Sequence, residues 1–156
     1  MATKVRIEYL SDHPAVLPTL RQWFETEWPS YYGPGGRGNA ERDLKTYANR
    51  TRLPVGVVAF LNNEICGVAA LKAESIDTHS HLTPWAAAAM VRRDHRGRGI
   101  GTELIRALEH EAMRRGYDQI YCGTSTAMLL LERLRWQLME QVVYDGDNVS
   151  IYVKAL

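Results

Sequence analysis

Val91-Arg92-Arg93-Asp94-His95-Arg96-Gly97-Arg98-Gly99-Ile100-Gly101-Thr102 links two segments with different hydrophobic periods. Residues 85–91 form a short apolar run that reads as a strand, and residues 102–115 place Leu104, Ile105, Leu108 and Ala112 on one helical face. The stretch is therefore a strand-to-helix junction, where main-chain N–H groups converge. Glycine at 97, 99 and 101 removes every second Cβ, which frees the backbone and lets an anion approach it. The helix that follows adds unpaired N-terminal N–H groups and the positive end of its dipole. Such a junction can cradle a phosphate or pyrophosphate. Arg92, Arg93, Arg96 and Arg98 add cations able to grip it.

The spacing is not that of a Walker A loop, because no Gly-Lys-Ser/Thr follows, and the third glycine comes one residue too early for a dinucleotide fingerprint. Arg96-Gly97-Arg98-Gly99-Ile100-Gly101 instead resembles the Gln/Arg-x-x-Gly-x-Gly/Ala loop of the GCN5-related N-acetyltransferases, the GNAT family. The order of elements along nearly the whole chain is similar to that family, as is the Glu132-Arg133-Leu134-Arg135-Trp136 segment. The resemblance implies an α/β (α+β) fold in one domain over 1–156. A mixed, mostly antiparallel central sheet is flanked by helices, with the acyl-CoA loop between the fourth strand and the third helix.

Length and composition agree with an ordinary globular chain: 156 residues, 46% hydrophobic, with a formal net charge of +1. Acids nearly balance bases, so a nucleic-acid partner is not expected, and no apolar run approaches the ~20 residues that span a bilayer. Met1-Ala2-Thr3-Lys4 lacks the apolar core of a signal peptide, so a cytoplasmic location is expected. Cys66 and Cys122 show no metal-ligand spacing and read as buried thiols, Cys122 being the stronger candidate for any catalytic role. No metal is expected.

Residues 5–10 alternate as a first strand, and Leu17, Leu20 and Phe24 follow helical spacing until Pro29. Residues 30–39, rich in glycine and proline, read as a mobile loop, and residues 40–50 as a short charged helix. Residues 55–61 and 65–71 form a hairpin around Asn62-Asn63, since asparagine tolerates the positive φ of a tight turn. Residues 72–84 form a polar loop. After the long helix come a strand over 119–123, a helix over 127–138, and a closing hairpin of 142–145 with 149–154. By resemblance that hairpin is also a candidate dimer edge.

The resemblance implies a chemistry. The pantetheine arm of acetyl-CoA, the co-substrate, inserts beside the strand before the loop and pairs with the main chain of Ala89, Met90 and Val91. Arg96, Gly97, Arg98, Gly99, Ile100, Gly101 and Thr102 hold the pyrophosphate. A strand amide near Val91 stabilises charge on the acyl oxygen while a primary amine attacks directly. The first two helices and their joint wall the acceptor groove, making Glu27, Trp28, Tyr31 and Tyr32 the candidate contacts for a small-molecule or peptide amine. An alkyl amine is mostly protonated at pH 7, so a base is needed; Asp77 and His81 in the polar loop are the candidates. Relatives often protonate the departing thiolate from a tyrosine in the later helix, but Leu131 stands there and Arg135 replaces a glycine. Tyr121 is the substitute considered. The alternative is a non-catalytic acyl-CoA-binding or sensor module of the same fold.

Overall fold

The computed structural model describes residues 4–156; residues 1–3, which open the N-terminal stretch read above, lie outside the described residues. The elements are β1 (Arg6–Tyr9), α1 (Leu17–Glu27), α2 (Pro29–Tyr32), α3 (Ala40–Tyr47), β2 (Val55–Leu61), β3 (Glu64–Lys72), β4 (Trp85–Val91), α4 (Ile100–Arg114), β5 (Gln119–Thr124), α5 (Met128–Arg133), β6 (Gln137–Tyr144) and β7 (Asp147–Ala155). They build a seven-stranded sheet in the order β1-β2-β3-β4-β5-β7-β6. Every neighbouring pair is antiparallel except β4 with β5. This is the mixed, mostly antiparallel sheet expected from the sequence. The glycine loop lies between β4 and α4 because Pro29–Tyr32, expected as loop, closes an extra helical turn: Tyr32 N–H donates to the Trp28 carbonyl at 2.8 Å.

Both sheet faces are covered. Val55, Val57, Ala59, Ala69 and Leu71 meet the stripe Leu104, Ile105, Leu108 and Ala112 of α4 on one face, where Leu131 and Trp136 also pack. Helix α4 comes so close that a Cβ on Gly67 would stand 2.9 Å from Leu104 Cδ1. On the other face Leu20 and Phe24 of α1 and Leu44 and Tyr47 of α3 cover Val58, Phe60, Val68 and Ala70. Burial on both sides explains why β2 and β3 read as continuous apolar runs rather than as alternating strands. The second face continues under the 73–84 loop, where Ile76 caps Trp85, Tyr121 and Ile151.

The hairpin turns follow the sequence chemistry. Asn62 and Asn63 take φ of 53° and 64°, and Asp145 and Gly146 take 51° and 80°, the positive values that a two-residue hairpin needs. The later helix differs from expectation. The pattern predicts helix over 127–138, whereas α5 ends at Arg133 and Gln137, already in β6, pairs with Val153 of β7. Arg135 supplies the reason: at φ 69° it ends the helix in the left-handed region, while Trp136 N–H donates to the Leu131 carbonyl at 2.9 Å. Leu138 is thereby spent on pairing with Tyr152 rather than on a helix face.

A side chain in the left-handed region costs roughly 1–2 kcal/mol, part of which glycine returns as chain entropy in the unfolded state. Arg135 is exposed. Arg135→Gly should therefore raise the unfolding free energy by about 0.5–1 kcal/mol in urea titration; an unchanged or lower midpoint would show that the arginine side chain offsets its own strain.

Candidate functional site

The site begins where the sheet fails to close. Strands β4 and β5 share one parallel pair, Trp85 with Tyr121. On its other side β4 pairs with β3, but the register shifts between Val68 and Ala70 because Ala88, at φ 52°, forms a bulge. The bulge bends β4 away from β5, and a cleft of ≈ 300 Å³ opens between residues 86–91 and residues 122–127. Its floor is Leu104 and Ile105 of α4 with Leu130 and Leu131 of α5. Past the bulge β4 keeps its pairing with β3, while its edge toward β5 has no strand partner and borders this cleft. Ala89, Met90, Val91 and Gly101 line it.

The glycine loop follows directly. Gly97 and Gly99 adopt φ of 79° and 82°, and a Cβ built on either would meet no protein atom within 4 Å, so the space above the loop is open to a ligand. Gly99 precedes α4 with no side-chain cap, leaving the first-turn N–H groups free for an anion. Ile100 is buried against Gly67, so it contributes main chain only; Thr102 is half-buried in the first turn. The arginines divide. Arg92 is committed to Asp94, with two donations at 2.6 Å each, and to Glu64 at 2.5 Å. That guanidinium holds the Asp94 carboxyl well below the usual carboxylate range. Arg96 donates from Nε to the Val91 carbonyl at 2.8 Å and approaches Glu27 at 3.2 Å. Arg98 is exposed and makes no ion pair among the described residues. Arg93 is exposed and stands 4.0 Å from Glu27. The loop therefore offers open main chain, one uncommitted guanidinium and two weakly held.

A second, larger groove of ≈ 790 Å³ lies on the opposite side of β4. Glu27, Trp28, Tyr31 and Tyr32 all line it. The sequence did not point to its other walls: Asp43 and Tyr47 one turn apart on α3, and Tyr144, Asp145 and Asp147 around the β6–β7 turn. The i, i+4 spacing of Asp43 and Tyr47 was a readable signal, but placing the turn residues needed the tertiary fold. Tyr32 donates to Asp43 Oδ2 at 2.8 Å, and burial, foremost, raises the pKa of both Tyr32 and Tyr47. The two cavities share Trp28, Ala87, Ala88 and Ser125. A molecule in the cleft and a molecule in the groove therefore meet at the β4 bulge, with Ser125 the hydroxyl common to both.

The residues expected to move protons are elsewhere. Tyr121 sits under Ile76 and beside Trp85, its ring centroid 5.6 Å from the indole, and its hydroxyl donates to Gln119 at 2.7 Å. Strand alternation turns Cys122 toward the cleft and Tyr121 to the other face. Asp77 is exposed in a short turn near Tyr144, and His81 is exposed and stacked 6.0 Å from His79, whose Nε2 meets Glu140 at 2.8 Å. None of the three lines either cavity. Cys122 does line the cleft, but burial pushes its thiol up to about 12, which suits a wall and not a nucleophile. Leu131 is fully buried, so the position where the resemblance led to the expectation of a tyrosine has no room for a phenol without repacking. Among the described residues no group of three or more His, Cys, Asp or Glu side chains is placed to hold a metal ion.

A family model described as "Acetyltransferase (GNAT) family" matches residues 17–130, nearly three-quarters of the chain. The chain belongs to the GNAT acetyltransferase family. Solved structures agree on the GNAT fold. An aminoglycoside 6'-N-acetyltransferase complexed with coenzyme A superposes with a TM-score of 0.78 at 16% identity, covering 96% of each chain. The aminoglycoside 6'-N-acetyltransferase from Enterococcus faecium gives 0.76 at 17%, again over 96% of each chain. A Salmonella typhimurium structure with its cofactor acetyl-CoA gives 0.74 at 18%, covering 99% of this chain and 94% of that one. No curated protein matches the GNAT chain by sequence. At these identities the likeness carries the fold alone.

The loop geometry makes a direct prediction. Gly99→Val would force a branched residue into a left-handed backbone, at about 1–3 kcal/mol of strain, and project it into the open space of the cradle. Calorimetric titration with acetyl-CoA should show binding weakened by at least roughly tenfold in a variant whose circular dichroism is native. Native affinity in a folded variant would show that the pyrophosphate lies elsewhere.

Proposed function

We propose that the chain is an N-acetyltransferase that moves the acetyl group of acetyl-CoA to a primary amine by direct attack. The observation that carries this reading is the open cleft between β4 and β5, which starts at an uncapped glycine loop and ends in contact with a separate groove. That layout suits two substrates entering from opposite sides and reacting at the bulge. Acetyl-CoA supplies an activated acyl thioester. In this reading main-chain groups of residues 89–91 hold an extended amide-bearing arm, and residues 96–102 hold a pyrophosphate.

For transfer, a C–N bond forms as the C–S bond breaks. The acceptor must lose a proton and the departing thiolate must gain one. The groove has the carboxylates Glu27, Asp43, Asp145 and Asp147 to attract an ammonium. Glu27 adjoins Trp28 at the junction of the two cavities, so it is the groove carboxylate closest in sequence to the reacting end. Because the acceptor reacts as the neutral amine, kcat/KM should rise with pH toward the pKa of the chosen amine, ~10 for an alkyl ammonium.

Ser125 fills the vacancy left by Leu131. It is the hydroxyl that faces both cavities, and so can donate to the thiolate while the amine approaches from the groove. Neighbouring Thr124 is otherwise engaged: its Oγ1 accepts the Ala127 N–H at 2.9 Å and the Thr126 N–H at 3.2 Å, which fixes the turn carrying Ser125.

Thiol release measured with acetyl-CoA and a panel of amines tests the reaction. Turnover is expected with some amines, and acetyl-CoA binding without turnover for any amine would leave the binding-module reading. Ser125→Ala should lower kcat by about tenfold to a hundredfold while leaving acetyl-CoA affinity within roughly twofold. An unchanged kcat would assign the thiolate proton to water.

A further inference from the structure

The acceptor groove already contains a cation that belongs to the chain. Arg37 leaves the glycine-rich loop between α2 and α3 and lies across the groove. Its guanidinium carbon is 5.5 Å from the centroid of the Tyr31 ring. One terminal nitrogen ion-pairs with the Asp145 carboxylate of the β6–β7 turn, and Tyr144 of β6 stands beside it. An aromatic face, a carboxylate and a phenol hydroxyl around one positive charge make a cation subsite, and its occupant comes from within the protein.

The surroundings separate this subsite from the rest of the groove. Glu27 is held by Arg96, and Asp43 accepts from Tyr32. Lys72 lies 6.0 Å from the Tyr47 ring. Asp147, beside Asp145, has no ion-pair partner among the described residues. Removing Arg37 from the rim would thus leave two carboxylates facing the groove there. The loop itself is held by its main chain. Gly36 N–H donates to Gly33 at 2.9 Å, Gly38 N–H donates to Tyr31 at 2.8 Å, and Asn39 caps α3 by accepting the Arg42 N–H at 2.9 Å. Only the Arg37 side chain, which is 60% exposed, has to swing out for another cation to take its place.

We propose that Arg37 guards a subsite for a second cationic group of the acceptor, so that di- and polyamines displace it whereas monoamines leave it in place. The arginine then acts as a selectivity element: an acceptor long enough to reach from the β4 bulge to Tyr31 and Asp145 gains both contacts, and a shorter or singly charged one gains neither. This rests on the acetyl-transfer reading only for which end of the acceptor reacts.

The test is calorimetric and needs no turnover. The protein, alone and with coenzyme A, is titrated with α,ω-diaminoalkanes of increasing length and with the monoamines of matching carbon number. At the length that spans the groove, the diamine should bind at least roughly tenfold more tightly than its monoamine. Asp145→Asn should abolish that advantage, and Arg37→Ala should widen it by about fivefold, because the internal competitor is gone. Equal binding of diamines and monoamines at every length, or an advantage that neither substitution changes, would overturn the proposal. Failure of coenzyme A to bind would count against the acetyl-transfer reading alone, because the diamine comparison on the protein without coenzyme A stands by itself.

Discussion

The single parallel contact between β4 and β5 constrains everything else in this molecule. A fully paired sheet would bury the main-chain groups of β4 in a continuous ladder, leaving neither a cleft nor a junction. The bulge at Ala88 prevents that pairing by placing a non-glycine residue at φ 52°, a conformation that costs of the order of 1–3 kcal/mol. The cost is tolerable because both neighbours are over-determined: β3 pairs with β2 along its length, and β5 pairs with β7 from Gln119 to Thr124. Helix α4 then spans the gap from below, with Leu104 and Ile105 flooring the cleft while Leu108 and Ala112 are buried in the core shared with the sheet. The opening is thus held by packing on either side of it rather than by any contact within it.

Polar groups under the sheet reinforce that rigidity. Glu109, buried on α4, accepts from Trp136 Nε1 and Lys154 Nζ at 3.0 Å each, tying α4 to the segment after α5 and to β7. Glu111, also buried, accepts the Tyr9 hydroxyl at 2.5 Å and pairs with Arg114 at 2.6 Å, tying the same helix to β1. A buried carboxylate left unpaired would be strongly destabilising, so these pairs act chiefly by fixing where α4 sits. Since the uncapped N-terminus of α4 follows the glycine loop, the position of α4 sets the distance between the loop and the bulge.

Local chemistry made much of this legible in the sequence. The Asn62-Asn63 turn, the α4 stripe and the Gly97/Gly99 loop depend on residues adjacent in the chain, and their backbone angles are those the residue types favour. Glu27, Trp28, Tyr31 and Tyr32 reach the groove because they cluster at the end of one helix and the start of the next. The failures have a common cause. Helix α5 stops at Arg133 because Arg135 adopts a glycine-like conformation and Leu138 is claimed by Tyr152, a partner in another strand. Asp77 and His81 have suitable chemistry but are the exposed residues of a loop that turns Ile76 and His79 inward, and Tyr121 is turned away by strand alternation. The far wall of the groove comes from the β6–β7 turn, which no local pattern connects to α1.

The pairing of Arg96 with Glu27 links the two cavities electrostatically. Arg96 belongs to the glycine loop and Glu27 to the groove, so one ion pair has an end in each. Its partners are partly exposed, and such a pair contributes about 0–1 kcal/mol, little enough for either end to change partners. An anion bound at the loop would compete with Glu27 for Arg96, and a cation bound in the groove would compete with Arg96 for Glu27, with Arg93 standing farther off at 4.0 Å. The same logic explains the contrast with Arg92, whose two short bonds to Asp94 keep it out of the exchange: the loop fixes one arginine for structure and leaves its neighbour available to change partners.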